Sequence, residues 1–160
     1  MNGQHEKRMR LALQEAERAG QKGEIPIGAL LVDESGKVLS AAHNQTIDLA
    51  DPTAHAEILV MRAAARAVGN YRLLNTTLYV TIEPCIMCMG AMVHARVATL
   101  VFGAADPKWG GAGSLYDLAA DSRLNHRLQI VSGICEPGCR ALLQAFFRAK
   151  RKGAEGVLRA

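Results

Sequence analysis

The sequence predicts an α/β protein, a mixed five-stranded sheet with helices on both faces. Three observations predict it. Apolar residues either recur at three- and four-residue spacing or fill whole segments, which marks four helices. Five short runs, apolar or rich in β-branched residues, lie between them. After an initial hairpin, strands and helices alternate, the order that lays helices across both faces of a sheet.

Each element follows from local chemistry. Met9, Ala12, Leu13, Ala16 and Ala19 form the stripe of a first amphipathic helix, with Gly20 and Gly23 at its end. Ile25–Val32 and Val38–Ala42 flank Asp33-Glu34-Ser35-Gly36, a turn composition, and read as a hairpin. Asp51-Pro52-Thr53 supplies a capping residue and a proline suited to a first helical turn. The helix from about Ala54 to Val68 is apolar on nearly every side, which predicts burial. Thr77–Ile82 reads as a strand covered on both faces, and Pro84 opens a second apolar helix reaching about Ala95. Ala98–Phe102 is a short strand. The four glycines of Gly103–Asp121 predict a long loop with room for one helical turn. Arg127–Val131 is an edge strand, and Leu142, Leu143, Phe146 and Phe147 stripe a closing helix that runs into a basic tail.

The 160 residues suit a single domain over 1–160, with a core of about 6–152. A hydrophobic share of 49% against 21% charged excludes a disordered chain. No apolar run reaches the roughly 18 residues of a membrane span, so no membrane partner is expected. Met1 to Arg10 is polar and carries no secretory h-region, so a cytoplasmic location is expected. Lys and Arg exceed Asp and Glu by 19 to 15, giving +4. Arg148, Lys150, Arg151, Lys152 and Arg159 crowd the tail, about 148–160, and Lys7, Arg8 and Arg10 the start. This distribution suits a polyanionic partner, and equally suits solvated helix ends.

Two segments carry chemistry: His55-Ala56-Glu57 and Pro84-Cys85-Ile86-Met87-Cys88. Thiols in a reducing compartment stay free for metal or catalysis. Zinc takes imidazole nitrogen and thiolate sulfur; four protein ligands close a structural site, whereas three leave a place for water. His55, Cys85 and Cys88 make three. The cysteines fall near a helix start, where the dipole eases thiol ionisation, and His55 lies near the start of its own helix. Glu57, two residues on, faces away from His55 and is poorly placed to bind the same ion. A carboxylate beside the metal can take a proton from water and return it. A redox Cys-x-x-C pair is the competing reading. Cys135 and Cys139 read as small buried hydrophobes around Pro137-Gly138, the alternative being a second metal site for which no nearby histidine speaks. Met87, Met89 and Met92 read as core filling, and His5, His43, His94 and His126 as ordinary histidines.

His-x-Glu followed by Pro-Cys-x-x-Cys is the signature of the zinc-dependent nucleoside and nucleobase deaminases, which the chain resembles. Within that superfamily it is similar to the bacterial tRNA-specific adenosine deaminases. The matching segments include Asp51 to Ile58, Asn70 to Leu73, Thr77 to Cys85, Gly90 to Met92, Phe102 to Ala104, Gly113 to Leu115, Asn125 to Arg127 and Phe146 to Arg148. The resemblance implies a three-layer α/β/α cytidine-deaminase-like fold, a homodimer with one zinc per subunit, and conversion of the wobble adenosine of a tRNA anticodon to inosine. Zinc-bound hydroxide would attack C6 while Glu57 shuttles protons. By the same resemblance Asn44 holds the flipped nucleotide, and Asp106, Lys108, Asn125 and Phe147 line the pocket for the anticodon stem-loop. Ala105 and Trp109 depart from the family pattern. Trp109 offers a stacking face to a loop base, a common mode of RNA recognition. The rival readings are a deaminase of free guanine, cytosine or a nucleoside, and a non-catalytic zinc-stabilised RNA-binding module.

Overall fold

The computed structural model of the protein describes residues 2–158, so the basic tail residue Arg159 lies outside the described residues. Helix α1 (Asn2–Gln21) leads into strands β1 (Gly28–Val32) and β2 (Val38–His43). Helix α2 (Ala56–Val68), strand β3 (Thr77–Ile82), helix α3 (Ile86–Ala95), strand β4 (Thr99–Ala104), strand β5 (Gln129–Val131) and helix α4 (Glu136–Leu158) follow. The strands form one sheet in the order β2-β1-β3-β4-β5. β1 runs antiparallel to both β2 and β3, while β3, β4 and β5 are parallel. The mixed five-stranded sheet is therefore as expected, with β5 at an edge.

Alternation along the strands divides the core. Ala29, Leu31, Leu78, Val80, Leu100 and Phe102 pack with α2 and α3 residues such as Val60, Ala64, Met89 and Met92. Leu30, Val32, Tyr79 and Val101 pack on the other side with Met9 and Ala12 of α1 and Cys139 of α4. Two glycines let the layers close. A Cβ on Gly28 would stand 2.0 Å from the Ala12 carbonyl oxygen, and one on Gly103 would stand 2.4 Å from Cys139 Sγ. Any side chain there would push α1 or α4 off the sheet.

Several local expectations need correction. Gly20 lies inside α1, and the chain turns at Gly23, whose φ of +79° suits glycine. α2 begins at Ala56, later than expected, because the Asp51 carboxylate accepts hydrogen bonds from the N–H and hydroxyl of Thr53 and closes its own turn instead of capping the helix. α2 is also only half covered: Val60, Met61 and Ala64 are buried, but Arg62, Arg66 and Val68 face out. Pro84 precedes the N-cap of α3 rather than occupying its first turn. The loop after β4 holds turns and isolated bridges but no helical turn. On α4, Cys139 is buried and Leu142, Leu143 and Phe146 are half-buried, whereas Phe147 is 40% exposed and leaves the core stripe. Cys135 is half-buried at a positive φ of 55°.

Candidate metal centre and active site

One edge of the sheet gathers the chain ends that matter. Gly28 of β1 pairs with His43 of β2, and the Gly28 N–H donates to Thr81 Oγ1 near the end of β3. The segments after β2, β3 and β4 therefore leave from the same edge. Those segments carry Asn44, then Glu83-Pro84-Cys85, then Asp106 and Lys108. A carboxyl edge of parallel strands is where open α/β sheets form crevices.

Two helix starts meet there. His55 is the N-cap of α2 (φ −70°, ψ 150°) and Cys85 the N-cap of α3 (φ −72°, ψ 171°), both extended. An N-cap side chain usually accepts a hydrogen bond from its own helix. Neither does so here, which leaves imidazole and thiol to face each other. Cys88 lies one turn into α3. His55 Nδ1 is 3.7 Å from Cys85 Sγ and 3.5 Å from Cys88 Sγ, and the two sulfurs are 3.8 Å apart. A tetrahedral zinc with ~2.3 Å bonds to sulfur and ~2.05 Å bonds to nitrogen separates two sulfurs by ~3.8 Å and a sulfur from a nitrogen by ~3.6 Å. The three ligand atoms thus already stand where zinc requires them, and among the described residues they are the one His, Cys, Asp and Glu group of this kind.

At these distances the three groups perturb one another's titration. The Cys85 thiol is lowered to about 4, chiefly by the Cys88 thiol bonded to it and also by His55, against the cost of burial. Cys88 moves up, because its proton is held in that bond and it is buried. His55 is raised by its bond to Cys85 and by the nearby Glu57 carboxylate. Glu57 lies in the first turn of α2, 4% exposed, and burial pushes its carboxyl up to about 7. It is not one of the three clustered ligands.

Glu83 was not singled out from the sequence. It is 3% exposed, and its carboxylate accepts the backbone N–H groups of Asp106, Ala112 and Ser114 at 3.0 Å each, and the Ser114 hydroxyl. Gly110 passes so close that a Cβ would lie 2.4 Å from the Glu83 carboxyl carbon. The Gly111 N–H donates to the Pro84 carbonyl at 2.7 Å. The glycine-rich loop is thereby tied to the turn that carries Cys85. The only sequence signal was position: a glutamate directly before Pro84-Cys85.

The remaining predicted residues divide by edge. Asn44 is 4% exposed and directly follows β2, and the Gln45 N–H bonds the Ala54 carbonyl at 3.0 Å beside His55. Asp106 caps its own turn, accepting from the N–H groups of Lys108 and Trp109 at 3.0 and 3.3 Å. Lys108 and Phe147 line one open depression of ≈ 560 Å³ with Leu143, Gln144, Arg148 and Arg151. Trp109, next to Lys108 in sequence, is 67% exposed. Asn125 is elsewhere. It precedes β5, and its side chain and carbonyl take hydrogen bonds from Arg96, the C-cap of α3, at 2.9 and 3.2 Å. It therefore stands at the other end of α3 from Cys85, on the opposite sheet edge of the same chain. Of the ordinary histidines, His43 bonds Glu15, His5 bonds Tyr79, and His126 bonds the Val97 carbonyl.

Three ligands that would leave a metal position for water, with a buried carboxylate outside the set, make a site suited to metal-assisted hydrolysis. Residues 2–104 match the model of the cytidine and deoxycytidylate deaminase zinc-binding region, and the chain belongs to that family. Its relatives within the family are more particular. It is 48% identical over 147 residues to the tRNA-specific adenosine deaminase of Haemophilus influenzae, covering 92% of this chain and 85% of that one. It is likewise 48% identical to the tRNA-specific adenosine deaminase of Bacillus subtilis, covering 93% and 92%. Among solved structures it resembles a tRNA A34 deaminase studied for A-to-I editing at the wobble position, with a TM-score of 0.82, 43% identity and coverage of 85% and 98%. A guanine deaminase from Nitrosomonas europaea shares the fold at a TM-score of 0.78, 22% identity and coverage of 88% and 83%.

Proposed function

We propose that this protein hydrolyses adenosine to inosine at the wobble position of a tRNA anticodon, using one zinc held by His55, Cys85 and Cys88, with Glu57 as the catalytic acid and base. The observation that carries the chemistry is the three-ligand frame with a buried carboxylate beside it. The likeness to tRNA-specific adenosine deaminases supports the substrate. When bound, zinc supplies the Lewis acidity that brings the pKa of water to ~7. Glu57 Oε takes a proton from the attacking water and delivers it to the departing amine, so that adenosine and water become inosine and ammonia. A carboxyl held near neutrality by burial can do both halves of that transfer. Asn44 fixes the nucleotide from the β2 side, and Lys108, Phe147, Arg148 and Arg151 offer cationic and stacking contacts to the anticodon stem-loop. Asp106 shapes the loop that carries Lys108.

Asn125 belongs to this reading only in a homodimer, where it serves the partner's RNA from the edge opposite its own zinc. The location is the cytoplasm, and no described helix is long and apolar enough to cross a membrane. The test is inosine formation by the zinc-loaded protein on an anticodon stem-loop, beside guanine, cytosine and free adenosine. Glu57→Ala retains zinc and fold and makes no inosine. Turnover of guanine or cytosine without the stem-loop overturns the substrate. A Glu57→Ala variant as active as wild type overturns the role of Glu57, and a wild type that binds the stem-loop without deaminating it leaves only an RNA-binding module.

A further inference from the structure

A further buried carboxylate, besides Glu57 and Glu83, lies on the Asn44 side of the site and takes no part in the proton transfer above. Glu24, in the connection between α1 and β1, is 1% exposed. Its Oε1 accepts the backbone N–H groups of Ile47 and Asp48 at 2.8 and 2.7 Å. Its Oε2 accepts from Asn44 Nδ2 at 3.5 Å and from the Thr46 hydroxyl at 3.4 Å, and Asn44 Nδ2 also reaches Thr46 Oγ1 at 3.4 Å. One carboxylate thus holds the first turn of the 44–55 segment, which runs from β2 to His55.

We infer that Glu24 is a positioning residue that sets which end of the Asn44 amide meets the nucleotide. An ionised carboxylate only accepts hydrogen bonds, so it takes the NH2 end of the facing amide. The Asn44 Oδ1 is thereby turned away from Glu24 and presented as an acceptor, suited to a hydroxyl or amine N–H of the substrate nucleotide. A neutral amide at position 24 both donates and accepts, and the Asn44 side chain loses its preference. The backbone N–H groups of Ile47 and Asp48 fix Glu24 itself, so the orientation is set before substrate arrives. This inference rests on the reading of Asn44 as a nucleotide contact.

The experiment is a mutant cycle on the zinc-loaded protein, with steady-state inosine formation on an anticodon stem-loop and thermal unfolding recorded for each variant. Glu24→Gln raises KM about tenfold, the scale of one hydrogen bond lost to a misdirected partner. Asn44→Ala raises it by a similar factor, and the double variant is no worse than Asn44→Ala, because Glu24 acts through Asn44. Thr46→Val gives a smaller rise of the same kind, and serves alone should Glu24→Gln not fold. Glu24→Gln or Thr46→Val effects that multiply with that of Asn44→Ala, or a wild-type KM in both variants, overturn the positioning role. An Asn44→Ala variant with wild-type KM overturns instead the reading of Asn44 on which it rests.

Discussion

Glu57 and Glu83 are the same residue type and nearly equally shielded from solvent, at 4% and 3% exposure, yet their carboxyls are driven in opposite directions. Glu57 lies deep in the packing at the start of α2, and burial lifts it to about 7. Glu83 also feels burial, but the Ser114 hydroxyl and three loop N–H groups overcome it and hold the carboxyl below the usual carboxylate range. Burial without enough donors makes a group that exchanges protons. Burial with donors makes an anchor that stays charged.

The largest effect that tests this contrast comes from Glu57. Glu57→Gln keeps the shape of the side chain and removes its proton, so inosine formation falls by about 10⁴-fold, the upper range for one general acid and base. Thermal unfolding stays at or above the wild-type temperature, because a deeply buried carboxyl costs folding free energy that the amide costs less. Zinc content by elemental analysis stays at one per chain. A variant that loses its metal as well makes Glu57 a ligand, and the contrast with Glu83 then fails.

Glu83 fails the other way. Glu83→Ala strands three backbone N–H groups and the Ser114 hydroxyl at the root of the glycine-rich loop. At roughly 1–3 kcal/mol for each orphaned donor, partly met by water, the loss is about 3 kcal/mol. That corresponds to a fall in Tm of about 6–12 °C for a chain of this size. Activity falls less than in Glu57→Gln, about 10²-fold, because the loop carrying Lys108 is displaced while the proton carrier is intact. Calorimetry and single-turnover inosine formation on the same preparation separate the two. Wild-type stability in Glu83→Ala removes the anchor from the comparison.

The contrast also explains what the sequence could carry. His55, Cys85 and Cys88 announce themselves because ligand chemistry fixes their types and helix geometry fixes the Cys-x-x-Cys spacing, and Glu57 does so by its place two residues after His55. The sheet was legible for the same local reason, in strands such as Thr77–Ile82. Glu83 and Glu24 were not, because their partners are backbone N–H groups 23 or more residues onward, which any residue type supplies. Asp51 misled for a related reason: its pattern fits a helix cap, but the carboxylate closed a local turn with Thr53. Phe147 read as part of the core stripe by its spacing and as an anticodon contact by resemblance alone; at 40% exposure it stands outside the stripe, which spacing along one helix could not show.

The smallest effects lie on the surface that the anchored loop completes. Lys108 and Phe147 share one depression, but they contribute by different physics. A lysine that neutralises a phosphate releases a counterion, worth about 0.7 in the slope of log affinity against log salt for single-stranded RNA. A phenylalanine that stacks on a base adds roughly 1–3 kcal/mol and no salt dependence. Lys108→Ala therefore weakens stem-loop binding by a few-fold at low salt and flattens the salt slope by about that amount. Phe147→Ala weakens binding about tenfold at every salt concentration, with the slope unchanged. Titration of labelled stem-loop at several salt concentrations reads both. If neither substitution changes affinity, the depression beside the loop is not the RNA surface, and Glu83 anchors a loop whose role is confined to the metal-bearing turn.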